Sequence, residues 1–268
     1  SGFWRILFGW IPFSVGDIMY ALLIILGVGY IISNRSAIKK NLLGLLRDII
    51  MVLSVAYFTF HLLWGLNYYR EPLAKTLEIG GKHSQEDLMN LVDQLVLKTN
   101  EVHFQITRDT GKIVEVPYTK KEIFNLTVKG YKSLEKQIPL FTYNRPSLKK
   151  SLFSTALTYM GYGGYLNPFT NEAQANGRLP NFRFPVICGH EIGHQLGFSA
   201  ENETNFIGYL ATVKKEVANF WQAHENPMEP VFKSIFNTFL KANNQKDGIK
   251  SYNAVVSLLI NFYKENPL

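Results

Sequence analysis

The chain has 268 residues, of which 47% are hydrophobic, and a formal net charge of +7. Its single cysteine, Cys188, excludes an internal disulfide framework and a multi-cysteine zinc knuckle. The positive charge does not indicate a nucleic-acid partner, because lysine and arginine are scattered and no predicted helix has a basic face interleaved with aromatic residues. We therefore expect no nucleic acid, and the distribution of apolar residues becomes the guide to the organisation of the chain.

Two stretches in the first quarter of the chain are too apolar and too continuous for the surface of a soluble protein. Ser14 and Asp17 resemble a capping box in front of the first, which predicts a transmembrane helix over about residues 15–33. The second is predicted over about residues 49–66, closed by Trp64 and two tyrosines, as in the aromatic belt where a helix leaves the bilayer. The alternative is a pair of buried core helices.

The segment between the two predicted spans carries four positive charges: Arg35, Lys39, Lys40 and Arg47. By the positive-inside rule this segment is cytoplasmic, so the rest of the chain is expected on the extracytoplasmic side. We predict a membrane anchor over residues 1–70 and an extracytoplasmic catalytic domain over residues 71–268. Because the chain begins Ser-Gly rather than Met, a further segment, such as another membrane span, is expected upstream.

The predicted domain is mainly α with a small β-sheet, an α+β fold. Ser84 and Thr119 each open an amphipathic helix with an acidic residue three positions later. Residues 152–159 mix apolar with small polar residues and are followed by glycines, which predicts strands or a hairpin. Two closing helices are expected over residues 231–240 and 252–263.

A short motif carries the clearest chemical signal. Pro185 and Gly197 are well placed at the start and just after the end of a helix, and between them lie His190, Glu191 and His194 in an H-E-x-x-H arrangement. Histidines four apart project from one helix face and can bind one zinc ion. The glutamate is rotated off that face and is therefore the candidate general base acting on a metal-bound water.

A catalytic zinc site needs a third protein ligand. Glu201 and Asn205 share one face of the next predicted helix, so Glu201 is the preferred ligand and Asn205 a hydrogen-bonding partner of a ligand. Glu203 points elsewhere and stays open as the alternative ligand. Both glutamates also suit the positive end of a helix without binding metal.

The same residues resemble a gluzincin, in which H-E-x-x-H is followed by a helix bearing E-x-x-A-D. Glu201, Thr204 and Asn205 occupy the Glu, Ala and Asp positions, and the resemblance implies that Glu201 is a zinc ligand. The sequence departs from the pattern in two ways: an asparagine replaces the acid, and only six residues separate His194 from Glu201.

A second resemblance extends over nearly the whole chain. It is to a bacterial inner-membrane family catalogued as a domain of unknown function, and it is carried by the zinc motif and by the segments GWIPFSVGD at 9–17, WGLNYYR at 64–70 and NPFTNEA at 167–173. It implies membrane helices in front of a zincin-like domain. It also implies a location in the bacterial inner membrane, and with the two predicted spans and the positive-inside rule we expect a multi-pass protein whose domain lies on the periplasmic side.

These observations predict a membrane-anchored zinc-dependent metallohydrolase, in particular a peptidase with Glu191 as general base. The expected cofactor is Zn²⁺, and the expected partners are a peptide or protein substrate and the lipid bilayer. The oxyanion-stabilising donor stays open among Tyr162, Tyr165 and Tyr209. The motif helix lies far from the spans in sequence, which favours cleavage outside the membrane plane. The alternatives are a catalytically silent, membrane-tethered zinc-binding sensor or interaction module, and a structural membrane protein with an accidental motif.

Overall fold

The fold is seen in a computed structural model that describes residues 2–79, 84–213, 258–260 and 262. In chain order these residues form α1 (Gly2–Phe8), α2 (Val15–Ser33), α3 (Arg35–Lys40), α4 (Leu42–Leu63), α5 (Leu73–Thr76), α6 (Gln85–Thr107), α7 (Lys120–Leu134), β1 (Leu148–Lys150), α8 (Ser154–Met160), β2 (Gly164–Asn167), β3 (Glu172–Ala175), α9 (Phe184–Gln195) and α10 (Glu201–Val213). Short 3-10 helices cover Gly65–Tyr69 and Pro139–Phe141. The expected class, mostly helical with a small sheet, is confirmed. The predicted closing helices fall almost entirely outside the described residues.

The two long apolar helices, α2 and α4, expose nearly all of their side chains. Their most apolar stretches have mean hydropathies of 2.2 and 1.8, and only 11% and 0% of those stretches are buried. By length and composition, each is able to cross a membrane. A core helix would bury most of its surface, so within the described part of the chain neither helix is packed as one.

The first apolar helix has the predicted bounds, and the second does not. The Ser14 hydroxyl accepts a hydrogen bond from the backbone nitrogen of Asp17 at 2.9 Å, which caps α2 as expected. α4 begins earlier than the predicted span at 49–66, because the Asn41 side chain caps its first turn. It also ends sooner, because Trp64 leaves helical geometry and a 3-10 helix follows.

The sheet has three strands, with β3 between β1 and β2. β3 runs parallel to β1 and antiparallel to β2, so β2 is an edge strand of the described sheet. Residues 152–159, predicted as strands, instead contain α8, which ends where Gly161 adopts a φ of 77°. The prediction was wrong because so short a mixture of apolar and polar residues fits equally well a helix that buries one apolar side chain, Leu157, and one small polar one, Ser154.

Two glycines let α9 and α10 cross with their backbones in contact. A Cβ added at Gly208 would lie 2.7 Å from the backbone nitrogen of His190, and one added at Gly189 would lie 2.9 Å from the Cα of Gly208. α7 supports this pair, because the Tyr131 hydroxyl donates a hydrogen bond to the carbonyl of Gly189 at 2.6 Å. The crossing lies beside the largest core cluster, whose fully buried members include Leu73, Tyr131, Phe141, Ile192, Phe206 and Ile207.

The start of α2 is hydrogen-bonded to the sheet. The buried Glu172 carboxylate accepts from the backbone nitrogen of Gly16 at 2.6 Å, which places a negative charge at the helix N-terminus. The buried Asp17 carboxylate accepts from the hydroxyls of Ser151, at 3.0 Å, and of Tyr165. Contacts therefore cross the predicted domain boundary, and the division into anchor and domain stays a prediction.

The substitution Gly208→Ala tests the helix crossing. We expect it to lower the free energy of unfolding by about 1–3 kcal/mol, because the added methyl group overlaps backbone atoms that cannot move aside. Thermal unfolding of the detergent-solubilised protein, followed by circular dichroism, measures the effect. Gly27→Ala is the matched control, since nothing lies within 4 Å of a Cβ at that helical position. Equal stability of the two variants would contradict the crossing.

Candidate metal centre

The motif helix α9 forms close to where the sequence predicts it. It begins at Phe184, with Pro185 in its first turn, and it is followed by Gly197, whose φ of +92° favours glycine. His190 and His194 lie on one face with ring centroids 4.7 Å apart. Their Nε2 atoms are 3.1 Å apart, so both rings direct the same nitrogen to one point.

Hydrogen bonds fix the orientation of both rings. Nδ1 of His194 lies 2.8 Å from the backbone oxygen of Phe198, and Nδ1 of His190 lies 2.9 Å from Oδ1 of Asn205. Both partners are acceptors, so we assign the hydrogen to Nδ1 on each ring. Each Nε2 then presents a lone pair, which is the form in which histidine binds metal.

Glu201 completes the cluster at the start of α10. Its Oε2 lies 3.1 Å from Nε2 of His190 and 3.6 Å from Nε2 of His194, and all three side chains are buried. The three ligand atoms lie within 4.8 Å of one another. Tetrahedral ligands about 2.0–2.1 Å from zinc are spaced about 3.3 Å apart, so the donor set fits zinc in type and in spacing.

The pKa shifts of Glu201 and His194 indicate that the cluster favours positive charge at its centre. Burial alone would raise the pKa of Glu201, but the adjacent His194 and His190 hold that pKa well below its usual range. Burial works against protonation of His194, yet the charges of Glu201 and then Glu191 raise its pKa to about 9. Three buried electron-rich atoms around one point need positive charge between them, and either a proton or a metal ion supplies it.

Glu191 lies beside the cluster, but its carboxylate is not among the three groups that converge on one point. It is buried, and its Oε2 has no hydrogen-bond partner among the residues that the structure describes. The carboxylate packs against strand β2, because a Cβ added at Gly164 would lie 2.7 Å from Oε1 of Glu191. Burial, opposed by the two histidines, raises the pKa of Glu191 to about 7, a value suited to taking up and releasing a proton near neutral pH.

The other predicted candidates lie elsewhere. Oε1 of Glu203 accepts a hydrogen bond from the backbone nitrogen of Leu73 at 2.6 Å, so this carboxylate is directed away from the histidines. Tyr165 donates its hydroxyl to Asp17, and Tyr209 packs against the main core. The backbone of Tyr162 donates a hydrogen bond to the backbone oxygen of Leu157 and accepts one from the Asn176 side chain.

The sequence reasoning missed an aromatic pair at the end of α4. The indole nitrogen of Trp64 donates to the backbone oxygen of His194 at 3.4 Å, and the ring of Tyr68 contacts that of Trp64 edge to face at 5.3 Å. Burial, and to a smaller extent the charge of Glu201, raises the pKa of Tyr68 above its usual range. The segment WGLNYYR indicated only a family resemblance and an interfacial belt, so neither residue was assigned to the site.

These features define a mainly helical protein with two exposed apolar helices and a buried His-His-Glu cluster. The chain belongs to the family described as protein of unknown function (DUF3810), whose model matches residues 1–220 and 213–260. No curated protein and no solved structure matches it. The predicted membership of a family of unknown function is thereby confirmed, and any assignment of chemistry depends on the residues themselves.

A pair of isosteric variants distinguishes Glu201 from Glu203 as the third metal ligand. We expect the purified protein to hold about one zinc ion per chain after dialysis, as a three-ligand site with an open position should. Glu201→Gln should lose the ion, because an amide is a far weaker ligand than a carboxylate. Glu203→Gln should keep it, because an amide oxygen still accepts the hydrogen bond from Leu73. Elemental analysis measures both, and zinc lost from the Glu203 variant alone would reverse the assignment.

Asn205 provides a test of ligand orientation. Asn205→Leu should weaken zinc binding by about 10- to 100-fold, because Nδ1 of His190 loses its acceptor. Asn205→Asp should restore affinity, since a carboxylate accepts the same hydrogen bond. Competition with a chromogenic chelator gives the dissociation constants. Unchanged affinity in the leucine variant would mean that this contact does not orient the ring.

Proposed function

We propose that this protein is a membrane-anchored, zinc-dependent metallohydrolase that cleaves peptide bonds. The observation that carries the proposal is the convergence of His190, His194 and Glu201 at one buried point, with Glu191 beside it. In a structural zinc site, a fourth protein ligand completes the coordination of the metal. A catalytic site has three protein ligands and leaves one coordination position open. The described residues offer three.

Each residue has a role that follows from its contacts. His190, His194 and Glu201 would hold the ion, and the first two are oriented by Asn205 and by the backbone oxygen of Phe198. Zinc bound there would acidify a water molecule and polarise a substrate carbonyl. Glu191 would take the proton of that water on its unpartnered carboxylate oxygen and pass it to the leaving amine.

The sheet supports a peptide as the substrate. β2 is an edge strand, and its other edge pairs with no strand in the described part of the chain. Gly164, at the start of β2, touches the Glu191 carboxylate, so an extended peptide added to this edge would pass the general base. On this basis we propose that the domain is zincin-like, as the sequence predicts.

The exposed apolar helices support a membrane location. We propose that α2 and α4 are both transmembrane, which makes the protein multi-pass. The connecting segment carries Arg35, Lys39 and Lys40, and Arg47 follows near the start of α4, which favours the cytoplasmic side for this end of both helices. The metal centre would then lie on the periplasmic side of the bacterial inner membrane.

Glu191→Gln separates catalysis from metal binding. We expect this variant to keep its zinc and to hydrolyse a fluorogenic peptide library about 10²- to 10⁴-fold more slowly than the unmodified protein, because the amide cannot act as a base. Glu203→Gln, assayed in parallel, controls for the loss of a buried carboxylate outside the cluster. An unmodified protein that binds zinc fully and cleaves no peptide would instead favour the silent zinc-binding sensor.

A further inference from the structure

The end of α4 lies directly against the metal cluster. Trp64, the first residue after the helix, is only 6% exposed, although the neighbouring Leu62 and Leu66 are 62% and 64% exposed. Its ring lies 6.1 Å from that of His194, in addition to the hydrogen bond to the His194 carbonyl. One tryptophan side chain therefore separates the exposed apolar helix from a metal-ligand candidate.

The segment after Trp64 continues along the turn that joins α9 to α10. The backbone oxygen of Asn67 accepts a hydrogen bond from the Ser199 hydroxyl at 3.0 Å. The Arg70 guanidinium donates to the carbonyl of Leu196 at 3.2 Å and lies 3.9 Å above the ring of Phe198. These contacts attach the exit from the apolar helix to the turn that positions Glu201.

The start of α2 lies against the strand beside the general base. Tyr165, next to Gly164 in β2, donates its hydroxyl to Asp17 in the first turn of α2. One turn further into α2, the ring of Tyr20 stacks on that of Tyr165 at 6.5 Å. The two apolar helices therefore contact the two halves of the site: α4 lies at the metal ligands and α2 at the edge strand.

These contacts fix the position of the site relative to a bilayer. If α2 enters and α4 leaves the membrane, residues 15 and 63 lie at the same surface, and both helix ends touch the candidate site. The sequence separation of the motif from the spans favoured cleavage outside the membrane plane but gave no distance from the membrane surface. In the folded chain, the motif helix lies at the end of the second apolar helix.

We infer that the substrates are membrane-anchored polypeptides cut within a few residues of the bilayer surface, an inference that rests on the proposed peptidase function. A substrate chain that leaves the bilayer at its own membrane anchor passes the β2 edge at the same distance from the membrane surface as the candidate metal ligands. Confinement to the same membrane also raises its effective concentration at the site. A scissile bond far from any anchor lacks both advantages.

A first experiment locates the site independently of activity. Of the four tryptophans, Trp4, Trp10 and Trp221 are replaced by phenylalanine, which leaves Trp64 as the only reporter in proteoliposomes. Brominated lipids should quench the fluorescence of Trp64. The positive control is a variant that lacks Trp64 and carries Tyr57→Trp on the exposed surface of α4. Retained zinc content shows that the variants are folded. Quenching of the control but not of Trp64 would overturn the placement at the membrane surface.

A second experiment tests substrate choice in the same vesicles. Fluorogenic peptides with a randomised segment are joined to a single-span anchor by spacers of about 3 or about 20 residues, which reach about 10 or about 70 Å when extended. We expect the short-spacer peptide to be cleaved at least about tenfold faster than the long-spacer peptide or the free peptide, because the effective concentration of an anchored substrate falls once its tether is longer than the distance to the site. Equal rates for all three would overturn this inference and leave the peptidase function standing. Cleavage of none, by zinc-loaded protein, would overturn the peptidase function and this inference with it.

Discussion

The crossing of α9 and α10 at Gly189 and Gly208 is the contact on which the candidate site depends. Helices whose side chains interdigitate are usually 8–10 Å apart, whereas here a methyl group at Gly208 would overlap the backbone of α9. This close approach lets a short helix-to-helix turn bring Glu201 to the two histidines. It also lets Asn205, one turn later, reach the far nitrogen of His190. A wider crossing would separate both side chains from the motif.

A second group of contacts joins the apolar helices to this crossing. None of them is a hydrophobic face packed on the sheet; they are hydrogen bonds and aromatic contacts made by the residues at the helix ends. At the start of α2, the contacts are made by two buried carboxylates, those of Asp17 and Glu172, and at the end of α4 by the indole of Trp64. These groups replace the apolar packing that most helices use to attach to a core. Most large apolar side chains of α2 and α4 are exposed in the described part of the chain, as helices solvated by lipid would require.

Local chemistry made part of this fold predictable. The capping residues Ser14 and Thr119 mark helix starts that the structure reproduces, and a spacing of four places His190 and His194 on one face whatever surrounds them. The third ligand was harder to assign, because a helix-face argument ranks Glu201 above Glu203 without showing what the second carboxylate does. The proximity of Trp64 to His194 and of Tyr68 to Glu201 could not be predicted from the sequence. Each pair is about 130 positions apart and leaves no periodic signal.

The hydrogen bonds between Glu172 and the first turn of α2 have a consequence for how the chain is assembled. The two partners are separated by 156 positions, so the beginning of the first apolar helix cannot be completed until most of the chain has been synthesised. If both apolar helices are already in the bilayer, a nascent chain would still carry the Asp17 carboxylate and the amide groups of Val15 and Gly16 without the partners that residues 151–172 supply. The arrival of the sheet, rather than the insertion of the helices, would then be the step that commits the chain to its native topology.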